Sequence, residues 1–198
     1  MSKKHLPLNT LFSATALLFA TTALAAEEAH EHGVSVLNIA IEGNEIAFEL
    51  ESPGADIVGF EHEAKSHDDI EAIEAAVAAL KEPLLLFSTP EAAGCSVAEI
   101  EIEAPETDHD EEHDEDQNHD DDHAHDDDHD HDEETHSEFH AEFTYACLDR
   151  GKITEIDVAF FERFPNAERL NVQMVSSNGS LIAKLTPSAT KLDISSLF

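Results

Sequence analysis

Leu37-Asn38-Ile39-Ala40-Ile41-Glu42-Gly43-Asn44-Glu45-Ile46-Ala47-Phe48-Glu49-Leu50 carries the pattern from which the fold can be read. Apolar side chains fall on every second position on both sides of Gly43-Asn44, the period of a strand with one buried face. A two-residue turn at Gly43-Asn44 pairs Ile41 with Ile46, Ile39 with Phe48 and Leu37 with Leu50, so three apolar pairs share that face. Downstream, Ser66 and Asp69 read as an N-cap pair opening a helix that runs to about Lys81. Ile70, Ile73, Val77 and Leu80 form its apolar stripe, and Pro83 ends it. Ile156, Val158 and Phe160 predict a strand, and Leu170, Val172 and Met174 predict another. Ser177-Asn178-Gly179 turns into a third strand with Leu181, Ala183 and Leu185. Phe160, Phe161 and Phe164 read as core aromatics rather than a ligand box. The expected fold is α+β, a mostly antiparallel β-sheet with one main helix and a long disordered His/Asp-rich loop inserted between two strands.

Composition decides what such a domain can meet. The chain has 198 residues, 45 Asp and Glu against 10 Lys and Arg, and a formal charge of −35. Hydrophobic residues make up 41% of it, enough for a core. Nucleic acid and anionic membrane surfaces are disfavoured as partners, because the Lys and Arg that would displace their counterions are scarce. Cations remain, and 14 His residues suggest metal ions.

The first residues read as an export signal. Lys3 and Lys4 precede an apolar stretch over residues 11–25 that ends in Ala23-Leu24-Ala25, an n-region, an h-region and an A-x-A cleavage pattern. Residues 1–25 are read as the signal peptide, cleaved after Ala25 or after Ala26, and residues 26–198 as a single domain. Thr15, Thr21 and Thr22 interrupt a stretch that is already short for a membrane span, and no later stretch approaches that length. The mature chain is therefore expected not to insert into a membrane.

Export makes a Cys95–Cys147 disulfide the expected state of the two cysteines. Each borders an alternating run, residues 95–103 and 139–147. Pairing these antiparallel with Cys95 opposite Cys147 sets Glu103 opposite Phe139. The inward positions then change from Val97 to Ile100 and Ile102, which requires a bulge near Ala98 or Glu99. The bridge is expected to anchor both ends of the segment between the strands.

That segment carries the main chemical signal. Residues 106–140 contain 19 Asp or Glu and nine His, with no Lys or Arg. Such a stretch cannot bury enough surface to offset its ordering entropy, so residues 106–138 are expected to be a disordered loop without metal. Solvation alone explains the Asp residues but not the histidines, which add little charge at neutral pH. His109/His113, His119/His123, His125/His129 and His136/His140 are four apart, one helical turn. His123/His125 and His129/His131 are two apart, one side of an extended chain. No single geometry is imposed, so the tract reads as a collector of several ions. Imidazole suits zinc, copper, nickel and iron, and the ligand types do not choose among them.

A smaller set lies on the folded part: His30 and His32 in His30-Glu31-His32-Gly33, and His62 in Val58-Gly59-Phe60-Glu61-His62. Two readings stay open, a pre-organised metal site or surface histidines at a frayed terminus. Enzymatic patterns fail. His62 and His67 resemble the histidines of a zincin helix but are five apart, about 140° around a helix, and His131 and His136 fail likewise. There is no G-x-S-x-G elbow, phosphate loop or nucleotide fingerprint. No catalytic residue is assigned and no enzyme is expected.

Several phrases together resemble the ZrgA-like periplasmic zinc-uptake proteins of Gram-negative bacteria. They are His30-Glu31-His32-Gly33, Glu42-Gly43-Asn44, Glu51-Ser52-Pro53, Val58-Gly59-Phe60-Glu61-His62 and Ala92-Ala93-Gly94-Cys95. The His/Asp tract, Phe143-Thr144-Tyr145-Ala146-Cys147, Phe161-Glu162-Arg163-Phe164-Pro165 and Leu185-Thr186-Pro187 complete them. The resemblance covers almost the whole mature chain. It implies zinc rather than copper or nickel, a periplasmic location, and His30, His32 and His62 as candidates for a site on the folded body. The function it implies is capture of zinc and supply to components of an inner-membrane zinc transporter. The alternative is a periplasmic metal buffer or detoxification protein without a transporter partner.

Overall fold

The computed structural model describes residues 31–107 and 137–197. The proposed signal peptide, His30 and the tract histidines from His109 to His136 lie outside the described residues.

In chain order the elements are β1 (Val34–Glu42), β2 (Glu45–Pro53), α1 (Gly54–Ile57), α2 (His67–Leu80), α3 (Pro83–Leu86), β3 (Phe87–Ser88), β4 (Ser96–Glu103) and β5 (Glu138–Ala146). Then follow β6 (Glu155–Val158), α4 (Phe160–Arg163), β7 (Arg169–Ser176), β8 (Gly179–Leu185) and β9 (Lys191–Asp193). They build a six-stranded sheet in the order β4-β5-β2-β1-β7-β8 and a three-stranded sheet in the order β3-β6-β9. Every pairing is antiparallel except β1 with β7. Among the described residues α2 is the one helix of ordinary length, so the α+β expectation with one main helix holds.

The opening hairpin pairs as its alternation requires: Ile41 faces Ile46, Ile39 faces Phe48, and Leu37 faces Leu50. These six side chains are buried, together with Phe139, Phe143 and Tyr145 of β5 and Leu170, Val172 and Met174 of β7. The smaller sheet closes on this face through Phe87, Ile156, Val158 and Leu192, all in the same cluster. The Phe87 ring lies 5.9 Å from Phe48, 6.3 Å from Phe143 and 6.2 Å from Phe160. Tyr145 donates its hydroxyl to the Phe87 carbonyl at 3.2 Å, so its one polar atom is satisfied inside the core.

Ser66 caps α2 in a capping box: its hydroxyl accepts from the Asp69 N–H, and the Asp69 carboxylate accepts from the Ser66 N–H. The buried side of the helix is Ile73, Ala76 and Leu80, with Ile70 and Val77 at its half-buried margins. Pro83 both ends that run and opens α3, because its fixed φ suits a first helical turn.

Two expectations are corrected. Phe160 is not a strand residue: β6 stops at Val158 and Phe160 begins α4, where it meets Phe87, Phe161 and Phe164. Burial among aromatics, not strand alternation, accounts for its apolar character. Glu103 faces His140 rather than Phe139, because the expected bulge, between Val97 and Glu99, advances the register by one residue. Val97, Ile100 and Ile102 accordingly face Tyr145, Phe143 and Ala141.

The opposite face of the large sheet is polar and strongly acidic on the β4-β5-β2 side. Glu142 stands directly opposite Glu49 on β2 and Glu101 on β4, and His140 stands opposite Glu51 and Glu103.

Candidate metal centre

Segment 54–64 organises the site, beginning where β2 ends at Pro53. α1 is one turn, closed by the Val58 and Gly59 N–H groups donating to the Gly54 carbonyl at 2.8 and 3.1 Å. Gly59, at φ 91°, supplies the left-handed residue that reverses the chain into Phe60-Glu61-His62. Gly54 donates its N–H to the Ser137 carbonyl at 2.6 Å. At the other end Ala64 forms a parallel bridge with Thr107. Thr107 is where the chain departs into the His/Asp tract and Ser137 is where it returns. Both stems of the tract are therefore fastened to the segment that carries Glu61 and His62.

The Cys95–Cys147 disulfide forms as expected, but it does not hold those stems. It closes the other end of the β4–β5 pair, a strand of eight residues away, roughly 26 Å at the usual rise.

A buried carboxylate ties the N-terminal strand to the same segment. Asp56, 1% exposed, accepts from the Gly33 N–H at 2.6 Å and the Ser35 hydroxyl at 3.1 Å. Ser35 in turn meets the Ser52 hydroxyl at 2.7 Å. Burial raises the Asp56 pKa above the ordinary aspartate value; the Gly33 and Ser35 hydrogen bonds and nearby His32 pull it back, and Glu61 adds to the rise. Fixing Gly33 fixes its neighbour His32. Gly33 also accepts through its carbonyl from the Glu168 and Arg169 N–H groups, at 2.9 and 2.8 Å.

From that anchor the mostly exposed His32 ring places Nε2 2.9 Å from Glu61 Oε2. The neighbouring Glu31 carboxylate is engaged by Arg169 at 3.0 Å. The His62 ring stacks on Phe60 with centroids 4.6 Å apart, and its Nδ1 lies 3.1 Å from the Glu63 carbonyl. With the proton on Nδ1 that contact is a hydrogen bond, and Nε2 keeps its lone pair for a metal. His140 is on the acidic sheet face, with Nε2 3.0 Å from Glu138 Oε2. Among the described residues, no three His, Cys, Asp or Glu side chains stand close enough to enclose an ion. The structure thus brings His32 to Glu61, which His62 follows in the chain, without gathering a complete shell among the described residues.

The family model of the ZrgA family of zinc uptake proteins matches residues 29–194. The chain belongs to that family. No curated protein matches it. Membership in this zinc-uptake family supports a role in zinc uptake and fits association with zinc. The match spans both sheets and segment 54–64. The donors of this ZrgA-family chain suit zinc, which takes imidazole nitrogen and carboxylate oxygen in a four-coordinate shell.

Sequence reasoning missed Glu61 and Asp56. Glu61 lies inside the phrase quoted for His62, but as one acid among 45 it carried no spacing signal. Asp56, between Ala55 and Ile57 just after an apolar strand, was the better clue, since a lone acid in apolar surroundings asks for buried partners.

Proposed function

We propose that this ZrgA-family protein is exported to the periplasm, captures zinc there and supplies it to an inner-membrane zinc uptake system. The tract histidines His109, His113, His119, His123, His125, His129, His131 and His136, with His140 at the returning stem, provide several weak, exchanging positions. His30, His32 and His62 provide the position on the folded body. The observation that carries this reading is the fastening of both tract stems to segment 54–64, the segment that also carries Glu61 and His62. The disulfide and the signal pattern at residues 1–25 support an oxidising compartment.

Calorimetric zinc titration tests the two kinds of site. Replacing residues 108–136 with a short Gly/Ser linker keeps Thr107 and Ser137, the residues fastened to segment 54–64. The replacement is expected to remove most of the stoichiometry and leave about one ion, because donors held by a scaffold lose less entropy on binding than a flexible loop does. Loss of all binding would place the whole metal function in the tract. Growth of a strain lacking the protein separates uptake from buffering. A defect in zinc-starved medium supports supply to a transporter, whereas a defect confined to excess zinc supports a buffer.

A further inference from the structure

We propose that Glu61 is a direct zinc ligand of the folded site, sharing the ion with His32 Nε2. This deepens the reading above and rests on zinc reaching His32 at all. The two atoms stand 2.9 Å apart. Zinc binds imidazole nitrogen and carboxylate oxygen at about 2.0–2.2 Å, so two such donors at a tetrahedral angle sit about 3.3 Å apart. An opening of about 0.4 Å, within the reach of small torsional changes in two side chains, lets the ion take the place of the proton they now share.

Three other nearby carboxylates are committed elsewhere. Glu31 is held by Arg169, and Glu63 by Lys65 at 2.6 Å. Both oxygens of Asp56 are taken by Gly33 and Ser35 inside the protein. Glu61 is the acid whose ion-pair partner is the imidazole itself. The pair is also pre-organised. Asp56 belongs to α1, the turn that leads to Glu61, and it holds the amide next to His32, so one buried group positions both ligands. Two fixed protein ligands leave two positions of a four-coordinate shell for His30, His62 or water, and an open shell suits an ion that must depart again. Both cysteines are in the disulfide, so the donors are nitrogen and oxygen, which favours zinc over soft Cu(I).

Zinc sulfate titrated into the full-length mature protein with 15N-labelled histidine tests this, with His32→Ala assigning the resonance and Glu61→Gln as the variant. Metal coordination at one ring nitrogen is distinguished by NMR from coordination at the other. The expected result is zinc on Nε2 of His32 in the parent. In Glu61→Gln that response needs at least about tenfold more zinc, while the tract histidines titrate unchanged and the Gly33 amide stays at its parent position. Zinc on Nδ1, with the proton retained on Nε2, would make Glu61 an orienting group rather than a ligand and overturn the proposal. An unchanged His32 response in Glu61→Gln would overturn it too. If His32 ignores zinc in the parent while the tract responds, the folded site itself fails, a result distinct from either.

Discussion

Gly54→Ala tests the fastening of the tract to the folded body, because two effects of known sign oppose each other there. Gly54 is the first residue of α1 and has no positive φ, so an alanine fits its backbone conformation. Helix preference alone predicts a gain of up to about 1 kcal/mol. Sterics predict the reverse. A Cβ at this position would lie 2.6 Å from the Phe60 carbonyl oxygen, 2.6 Å from Ser137 Oγ and 2.9 Å from the Ser137 carbonyl oxygen. The hydroxyl can rotate away, but the two carbonyls are backbone and must retreat by about 0.8 Å at Phe60 and about 0.5 Å at Ser137 to reach ordinary contact. That movement lengthens the 2.6 Å bond from the Gly54 N–H to Ser137. Overpacking costs about 1–3 kcal/mol and the weakened buried hydrogen bond about 1 kcal/mol. After the helix preference is subtracted, the net loss is about 2 kcal/mol. With an m-value of about 2 kcal/mol/M in urea, the unfolding midpoint falls by about 1 M. Circular dichroism reads the midpoint, and hydrogen exchange reads the Gly54 amide, which should lose protection. A midpoint equal to or above the parent's, with that amide still protected, would show that the returning stem does not rest on segment 54–64.

Three further outcomes are expected. Reducing Cys95–Cys147, which closes a separation of 52 residues, should cost about 4 kcal/mol by the chain-entropy account, read as a lower urea midpoint with reductant; an unchanged midpoint would refute it. Glu142→Gln removes a charge set directly against Glu49 and Glu101, so it should stabilise by a few tenths to about 1 kcal/mol at low salt. The gain should shrink at 1 M salt, where the screening length falls to about 3 Å, and a destabilised variant at low salt would contradict the like-charge argument. Asp56→Asn tests the buried acid through pH. A carboxyl whose folded pKa is raised binds a proton in the native state that the unfolded chain has released. It therefore lowers stability as pH climbs from about 3.9 to the folded value, and the cost is complete above that. The stability difference between variant and parent should move in the variant's favour across that window, measured from urea midpoints, and movement the other way would sink the assignment.

What local pattern could determine, it did. Alternation around Gly43-Asn44 set the hairpin register, since a one-residue slip would turn Leu37, Ile39 and Ile41 out to solvent. Ser66 and Asp69 marked the start of α2 because capping is a contact between near neighbours. The change of inward positions after Val97 located the bulge in β4. The cysteine pair and the density of His and Asp between the strands were legible for the same reason, being statements about composition and short spacing.

Tertiary structure decided the rest, because those contacts join residues far apart in the chain and no period announces them. β7 lies parallel to β1 across more than a hundred residues, and β6 is joined into a second sheet by β3 and β9, strands too short to show alternation. Phe160 alternates like a strand residue, yet burial against Phe87 places it in a helix. The candidate site is of this second kind. Sequence named His32 and His62, but the atom against His32 belongs to Glu61, 29 residues along the chain. The meeting depends on Asp56 holding Gly33 in the interior, and on Thr107 and Ser137 both coming to rest on segment 54–64. Ligand types are written in the sequence. Which ligands meet is set by the loop that the buried carboxylate holds in place.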